Sequence, residues 1–279
     1  MSEFLSIGNL YLCGTPIGNL EDMTFRAIKI LKEVDLIACE DTRQTIKLLN
    51  HFDIKTKMIS YHQHNEIKCS EYLIKLLLES KNIALVSDAG MPIISDPGSI
   101  LLKEAIKNNI KIIPIPAPSA FLMSLVVSGF DISNFSYYGF LPNKPKNKDL
   151  IFEKIKSNQN VSVIYESPHK LLKTLEELNE KLGNVNICIC REITKKYEEF
   201  FRGNINDSIF HFSKDDIKGE FCIVIDKVLE KTIINEKTLE EEIFEMNKKD
   251  ISKKDISKIL SKKFNISSKE IYKMLVNET

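Results

Sequence analysis

Carboxylate, hydroxyl and glycine residues are concentrated at three points where a short apolar run of the sequence ends. They occupy residues 14–18, 40–43 and 87–98. Carboxylates can accept protons or hydrogen bonds, and glycines let a ligand approach the backbone. If the apolar runs are parallel strands, the three stretches meet at the carboxyl edge of one sheet, which is where open α/β sheets bind ligands.

The third stretch contains the same kind of turn twice, at residues 87–90 and 95–98, after the apolar run 83–86. In such turns the Asp and Ser side chains accept hydrogen bonds from backbone amides one or two residues ahead, and Gly allows a positive φ. The pattern predicts two tight turns at the end of a buried strand. An ordinary strand-to-helix loop has the same composition, so the stretch alone leaves a ligand site and a simple loop as alternatives.

Several other kinds of chemistry are not indicated. Residues 14–18 lack the G-K-[ST] ending of a P-loop and the G-x-G-x-x-G pattern of dinucleotide-binding folds, and the nucleophile motif G-x-S-x-G is absent. His62, His64 and Glu66 form a cluster of metal-ligand type, but this spacing is common in surface loops, and we predict no metal site. The segment 166–169 is expected to end a strand and begin a helix; the alternative to a functional site there is a helix cap with His169 partly buried.

The composition is that of a soluble globular protein, with 43% hydrophobic and 28% charged residues in a chain of 279. The 39 basic and 39 acidic side chains give no net charge, which argues against attachment to nucleic acid by overall charge. No apolar run reaches the roughly 20 residues that span a bilayer, and residues 1–4 lack the start of a signal peptide. The six cysteines contain no C-x-x-C pair. We therefore predict a cytoplasmic protein with reduced thiols and no membrane partner.

Apolar spacing predicts five strands that alternate with four helices in the first half of the chain. The strands lie at 10–13, 36–39, 58–62, 83–86 and 110–115. The first helix begins near Asp22 or Thr24, either of which can serve as N-cap, and the others cover 42–52, 67–79 and 100–107. This alternation is typical of βαβ units and predicts a parallel, doubly wound sheet.

A proline-rich crossing follows the fifth strand. Pro114, Pro116 and Pro118 stiffen an extended segment, and Ser119 can cap an apolar helix over 120–127. The strands predicted beyond it lie at 136–140, 161–166, 186–191, 198–202 and 220–226. Two of these follow one another without a long helix between them, so the second sheet is predicted to be mixed. The expected fold class is α/β, with two α/β/α domains at 1–117 and 118–230.

The C-terminal segment has a different character. An acidic helical stretch at 238–246 precedes a basic one, which has seven lysines and two aspartates in residues 248–263. Apolar spacing predicts two short helices around a tight turn, with Ser267 or Ser268 as the second cap. We expect a helix-turn-helix-like extension at 236–279, for which a small solvated helical tail is the alternative.

Nine short motifs together resemble one known family. They are GTPIGNLEDMT (14–24), ACEDTR (38–43), SYHQHNE (60–66), SDAGMPIISDPG (87–98), PAPSA (116–120), GFLP (139–142), YESPH (165–169), REITK (191–195) and KGEF (218–221). From about residue 10 to 226 the chain is similar to the ribosomal RNA small subunit methyltransferase I family of the tetrapyrrole methylase superfamily. The resemblance implies two α/β domains with S-adenosylmethionine in the cleft between them, usually in a homodimer. It also implies 2′-O-methylation of cytidine 1402 in the decoding region of 16S ribosomal RNA.

The motifs carry the predicted site residues. The expected cofactor-binding residues are Gly14, Pro16, Gly18, Asp88, Ala89, Gly90, Pro92, Ile94, Ser95, Pro118, Ser119, Ala120, Tyr165, Glu166 and Ser167. The candidates for accepting the ribose proton are Asp22, Asp41, Glu166 and Glu192, and the sequence does not choose among them. The candidates for contacting RNA are Arg43, Lys144, Arg191, Lys195 and Lys196. Ala117 and Met91 stand where the family commonly has Gly and Thr, which affects the fine geometry of the cofactor site.

Two other functions are compatible with the sequence. One is a superfamily methyltransferase that acts on a tetrapyrrole or another small metabolite. The other is a non-catalytic RNA-binding protein that uses the basic tail alone. The tail and the motif at 165–169 favour a methyltransferase whose partner is 16S ribosomal RNA or the small ribosomal subunit.

Overall fold

Two five-stranded sheets form the framework of this computed structural model. The structure describes residues 7–214, 217–228, 242–246, 251–264 and 267–277. The described residues up to Lys227 pack as one compact unit that contains both sheets, and those from Val228 onward pack as a second. The predicted division of the first unit at residues 117 and 118 stays a prediction. Parts of the predicted extension, at 236–241 and 247–250, and the N-terminal residues 1–4 lie outside the described residues.

The first sheet is parallel throughout, as predicted, with strand order β3-β2-β4-β1-β5. Its strands are β1 (Asn9–Cys13), β2 (Leu36–Cys39), β3 (Met58–Ser60), β4 (Ile83–Val86) and β5 (Lys111–Ile115). The connecting helices are α1 (Phe25–Glu33), α2 (Thr42–His51), α3 (Glu66–Leu78) and α4 (Ser99–Lys107). Every residue of β2 and β4 is buried, because a central parallel strand is covered on both faces.

The second sheet is mixed, which confirms the prediction. Its order is β6-β7-β10-β8-β9; β6 and β7 are parallel, and the other three pairs are antiparallel. Its strands are β6 (Phe135–Phe140), β7 (Val161–Glu166), β8 (Asn186–Arg191), β9 (Glu199–Asn204) and β10 (Phe221–Ile225). Its helices are α5 (Ala120–Ser128), α6 (Pro145–Ser157), α7 (Leu171–Leu182) and α8 (Ile205–Phe212).

The first residues of α1 and α5 show which of the predicted N-caps form. Thr24 caps α1, because its hydroxyl accepts a hydrogen bond from the Ala27 amide at 3.1 Å, whereas Asp22 lies in a preceding 3-10 turn. Ser119 occupies the N-cap position of α5 but its side chain makes no capping hydrogen bond. The Phe121 amide there donates instead to the Tyr165 hydroxyl of β7 at 3.1 Å. The predicted Ser119 cap is therefore wrong, because a tertiary contact supplies the acceptor.

The segment after β7 also differs in detail from the prediction. Pro168–Lys170 forms a short 3-10 helix before α7 begins. His169 is exposed there, so the partial burial that accompanied the cap alternative is wrong. Position 169 lies on the outside of this turn, which burial patterns in the sequence do not encode.

The C-terminal unit consists of helices in its described residues. Residues 242–246 are helical, and α9 (Lys253–Phe264) packs with α10 (Ser268–Asn277). Their apolar faces meet around Ile256, Leu260, Ile271 and Leu275. The predicted helical extension is confirmed for these residues. Among the described residues of both units, no helix has the length and apolar character required to cross a membrane.

Glu66 connects the first turn of α3 to the start of α4. Its Oε1 accepts hydrogen bonds from the amides of Gly98 at 3.0 Å and Ile100 at 3.2 Å, and from the buried Tyr61 hydroxyl at 3.1 Å. Gly98 has no side chain to cap α4 and its φ is +137°. The carboxylate of Glu66 therefore acts as a long-range N-cap, favoured by the helix dipole.

We expect Glu66→Ala to lower the free energy of unfolding by about 2 kcal/mol, because it leaves amide donors without a charged acceptor. Urea denaturation measures the change. Glu71→Ala, at an exposed position of the same helix, is the matched control and should stay within about 0.5 kcal/mol of the wild type. Equal stability of the two variants would contradict the capping role of Glu66.

Candidate active site

The carboxyl edge of the first sheet and the corresponding edge of the second enclose a cavity of about 480 Å³. The first sheet contributes Ile17, Glu40, residues 88–91 and residues 94–96, and Ser119 and Ala120 begin α5. The second contributes Phe140, residues 165–168, Cys190, Ile193, Lys195 and residues 220–222. Loops that are far apart in the sequence are thus brought to one site by the strand order.

The loop after β4 is fixed by contacts to neighbouring loops. The Ser87 hydroxyl donates to the Gly90 carbonyl at 3.0 Å, and the Asp88 carboxylate accepts from the Asp41 amide at 3.1 Å. Gly90 also pairs through its backbone with Thr15. The predicted acceptance of local amide hydrogen bonds by Ser87 and Asp88 is therefore wrong in the first turn. Asp88 is instead used to join the loops that follow β4 and β2.

Backbone strain is concentrated in two loops at this cavity. Ile93 and Ser95 have φ values of +76° and +69°, and Glu192 and Thr194 have +50° and +68°. Left-handed backbone is costly for residues with a side chain, above all for a β-branched one, and persists where surrounding contacts enforce it. One such contact joins the two sheets, because the hydroxyls of Ser95 and Tyr137 lie 2.7 Å apart.

Three carboxylates line the first-sheet side of the cavity. Burial raises the pKa of Asp96 to about 7, assisted by repulsion from Glu40 and Asp88. Burial likewise raises the pKa of Glu40, with a further contribution from Asp88, and it raises the pKa of Asp88. This side of the cavity therefore favours a cationic ligand, or a ligand group that can donate a proton to one of the carboxylates.

The predicted proton acceptors Asp41 and Asp22 lie outside this wall. Arg43 donates two side-chain hydrogen bonds to Asp41, at 3.0 and 2.7 Å, and these bonds lower the pKa of Asp41 to about 2. Asp22 has one buried carboxylate oxygen without a hydrogen-bond partner, and the residue is not part of the cavity lining. Their catalytic role stays a prediction, and the pairing of Asp41 with Arg43 makes that carboxylate a weak base.

The other two candidates are occupied by hydrogen bonds. Glu166 lines the cavity but is buried, and it accepts from the Ser167 amide at 2.7 Å and the Thr174 hydroxyl at 2.7 Å. Glu192 is partly buried, which acts to raise its pKa, but hydrogen bonds from Lys195 and the Glu220 amide outweigh this and lower the pKa. Their assignment as catalytic groups also stays a prediction.

Most of the predicted cofactor-binding residues share the cavity wall. Those that line it are Asp88, Ala89, Gly90, Ile94, Ser95, Ser119, Ala120, Tyr165, Glu166 and Ser167. Pro16 and Gly18 instead line a smaller neighbouring cavity of about 210 Å³. Gly14, Pro92 and Pro118 line neither cavity. Cofactor binding by the predicted residues stays a prediction.

Several lining residues were not among the predicted cofactor-binding residues. Asp96 stands in the second Ser-Asp-x-Gly turn, so the repeat of the motif was the signal that could have identified it. Glu40 follows β2 directly and carried the same kind of signal. Cys190 and Cys222 are buried in strand interiors, where a lining thiol and a core thiol have the same sequence pattern.

The basic candidates for RNA contact are distributed around the second sheet and α2. Lys195 lines the cavity and forms ion pairs with Glu192 at 2.9 Å and Glu220 at 2.8 Å. Arg191 donates to the Lys218 carbonyl at 2.8 Å. The other candidates, Arg43, Lys144 and Lys196, are exposed. RNA contact by these residues stays a prediction.

The cluster of metal-ligand type has a structural use. His62 Nδ1 accepts from the His64 amide at 3.2 Å, and Glu66 caps α4 as described above. Across the part of the chain that the structure describes, no group of three or more His, Cys, Asp or Glu side chains is arranged to hold a metal ion.

Comparison with known proteins places this fold and cavity in one family. A family model described as Tetrapyrrole (Corrin/Porphyrin) Methylases matches residues 9–208. Among solved structures, diphthine synthase has a TM-score of 0.63 at 12% identity, covering 78% of this chain and 90% of its own. Uroporphyrin-III-C-methyltransferase from Thermus thermophilus has a TM-score of 0.54 at 16% identity, covering 79% and 95%. At these identities the structures show a shared fold.

Sequence relatives are more specific. The chain is 52% identical over 219 residues to ribosomal RNA small subunit methyltransferase I of Halalkalibacterium halodurans, covering 78% of this chain and 76% of that protein. It is 40% identical over 271 residues to the Synechocystis protein of the same name, covering 96% and 97%. The chain therefore belongs to the tetrapyrrole methylase family and, within it, to the ribosomal RNA small subunit methyltransferase I family. The predicted resemblance is confirmed, as is S-adenosylmethionine as the cofactor.

The cavity fits this cofactor in size and in chemistry. Its volume of about 480 Å³ lies within the range of small-molecule sites, roughly 300–1,000 Å³. Apolar side chains such as Ile17, Ile94 and Ile193 suit an adenosyl group, and the carboxylates of Glu40 and Asp88 suit its cationic and hydroxyl groups. These residues and the backbone of 88–91 would hold the cofactor.

Gly14 is enclosed by the side chains of Ala117 and Met91. A Cβ at Gly14 would lie 2.2 Å from the Cβ of Ala117 and 2.7 Å from the Sδ of Met91. Neither distance is compatible with ordinary packing, and Ala117 is attached to a proline-stiffened segment. The side chains of Met91 and Ala117 therefore make glycine necessary at position 14.

We expect Gly14→Ala to lower the free energy of unfolding by about 1–3 kcal/mol through overpacking, and to weaken S-adenosylmethionine binding. Ala117→Gly should restore most of both properties in the double variant, because it removes the nearer clash and the flexible end of Met91 can shift. Urea denaturation and calorimetry of all three variants give the coupling. A double variant as unstable as Gly14→Ala would show that the Ala117 contact is not the cause.

Proposed function

We propose that this chain transfers the methyl group of S-adenosylmethionine to the 2′-oxygen of a cytidine, cytidine 1402, in 16S ribosomal RNA. The methyltransferase class follows from the family. The names of the relatives support small-subunit ribosomal RNA as the substrate. The observation that carries the proposal is the group of three carboxylates in the cavity wall, Glu40, Asp88 and Asp96, of which Asp96 has no hydrogen-bond or ion-pair partner among the described residues. We further propose that the enzyme acts in the cytoplasm as a homodimer.

The chain's own groups bind, align and deprotonate in this reaction. Bound S-adenosylmethionine supplies an activated methyl group, so transfer depends mainly on proximity and alignment. The strained loops at 93–95 and 192–194 hold opposite sides of the cavity in fixed positions. The apolar wall around Ile17 and Ile193 limits access of water to the reacting groups.

Asp96 is the proton acceptor that the environment favours. A ribose hydroxyl is a weak acid, and a general base is most effective when its pKa lies near the working pH. The pKa of Asp96 is about 7, whereas that of Asp41 is about 2 and that of Glu192 is below its usual value. Glu166 already accepts hydrogen bonds with both carboxylate oxygens. We therefore propose that a carboxylate oxygen of Asp96 accepts the proton of the ribose 2′-hydroxyl.

The substrate is tested with small ribosomal subunits from cells that lack the enzyme. Incubation with methyl-labelled S-adenosylmethionine should place the label on a 2′-oxygen of a cytidine in 16S ribosomal RNA, which nuclease digestion and mass spectrometry identify. Label on a base, or transfer to a tetrapyrrole and not to the subunit, would overturn the proposal. Tight RNA binding without transfer would favour a non-catalytic protein.

The role of Asp96 predicts a pH profile. The acceptor is the carboxylate form, which is depleted as the pH falls through about 7, so kcat/KM should decrease about tenfold per pH unit below that value. Asp96→Asn should lower kcat/KM at pH 8 by about 100-fold or more and remove this pH dependence. Transfer rates measured between pH 5.5 and 9, roughly spanning the pKa, test both effects.

The matched control is Asp53→Asn, at an exposed site with a φ of +49° that asparagine tolerates. It should keep the wild-type rate and the wild-type pH profile. Calorimetric titration of each variant with S-adenosylmethionine separates lost cofactor binding from lost proton transfer. If kcat/KM of the Asp96→Asn enzyme still decreases below about pH 7 as in the wild type, another group accepts the ribose proton.

A further inference from the structure

Phe140 is an exposed aromatic side chain on the wall of the cavity. It lies at the end of β6 and 60% of its surface is open to solvent. The other aromatic residues that line the cavity are less exposed, since Phe221 is buried and Tyr165 is partly buried and hydrogen-bonded. An aromatic ring left open at a cavity mouth contributes little to the core.

A β-bulge directs Phe140 to this position. In the pairing of β6 with β7, Tyr137 lies opposite Val163 and Phe140 lies opposite Tyr165, with a register shift between Tyr137 and Gly139. Residues three positions apart point to opposite faces of a regular strand, but the extra residue restores Phe140 to the face of Tyr137. Gly139 has the positive φ, +65°, on which this local backbone depends.

The Phe140 ring packs against the ring of Tyr165. Its centroid lies 5.4 Å from that of Tyr165, at an interplanar angle of 62°. Tyr165 is anchored because its hydroxyl accepts from the Phe121 amide, and its ring also packs edge-on against Tyr137. Such edge-to-face pairs fix ring orientation. Phe140 is therefore both exposed and held in a defined orientation.

The surroundings of Phe140 suit a nucleotide. Asn143, Lys144 and Lys146 follow it along the chain and are exposed, and Lys170 binds the Asn143 side chain at 2.6 Å. Lysines beside an open aromatic ring are the common arrangement for single-stranded RNA, in which bases stack on the ring and cations meet phosphates. The ribose that presents its hydroxyl to Asp96 carries its own base, which must lie at the mouth of the same cavity.

We propose that Phe140 is the stacking platform for the base of the nucleotide that is methylated. This inference rests on the proposed function and extends it to substrate positioning. The bulge at Gly139 sets the orientation of the Phe140 ring. Stacking on this ring separates the target base from the bases next to it and places its ribose at Asp96. Because stacking accepts any base, Phe140 contributes affinity and position, and sequence selection lies elsewhere.

The test compares Phe140→Leu with Phe140→Tyr in methyl transfer to unmodified small ribosomal subunits. Loss of the ring should lower kcat/KM by about 5- to 100-fold, which corresponds to the loss of one base–aromatic stack, and should raise KM for the subunit. Phe140→Tyr keeps the ring and should remain within about threefold of the wild type. Phe210→Leu, at an exposed aromatic residue of α8, is the control and should be unchanged.

Three further measurements decide between roles for the ring. The dissociation constant for S-adenosylmethionine and the melting temperature should be the same in the wild type and Phe140→Leu. A weakened cofactor affinity would place the ring in the cofactor pocket, and a change in oligomeric state on gel filtration would place it in a subunit interface. Either result, or an unchanged kcat/KM, would overturn the stacking role while leaving wild-type transfer intact. Failure of the wild type to methylate the subunit would instead remove the proposed function, and this inference with it.

Discussion

The structure depends on the backbone of residues 87–98 being held between the edges of two sheets. This loop contains Ile93 and Ser95 in left-handed conformations, and glycines with positive φ at 90 and 98. Its contacts reach four separate elements: Thr15 after β1, Asp41 after β2, Glu66 of α3 and Tyr137 of β6. Each contact offsets part of the conformational cost, and together they fix the wall on which the cavity is built.

The electrostatics of the cavity follow from this same constraint. Because the loop is drawn inward, Asp96 loses solvent and faces Glu40 and Asp88 without a cationic partner among the described residues. Raised carboxylate pKa values of this kind cost folding free energy above the normal titration range, since the folded state favours the protonated form. A binding site can use that cost, because a cationic ligand relieves the repulsion on arrival.

The second sheet contributes a different kind of wall. Phe140 of β6, Tyr165 of β7 and Phe221 of β10 supply aromatic rings. Strands β8 and β10 also bring the buried thiols of Cys190 and Cys222 and the Lys195 ion pairs to the cavity. The first-sheet side of the cavity thus carries the carboxylates of Glu40, Asp88 and Asp96, and the second-sheet side adds aromatic rings. The two sides suit a reaction between a cationic methyl donor and a nucleoside, because the carboxylates attract the donor and the aromatic rings can stack on the base.

The sequence by itself determined the strands, the order of helices and strands, and the family. All ten strands were predicted close to their observed bounds, because buried apolar runs and their bounding turns are local signals. The motif at 87–98 also marked the principal wall of the site.

Only the tertiary structure decided which polar groups are free and which are occupied. Asp41 and Glu192 differ from Asp96 in the partners that surround them, and those partners come from other strands and loops. The orientation of Phe140 likewise depends on the register of β6 against β7, since a shift of one residue in a strand reverses every side chain beyond it.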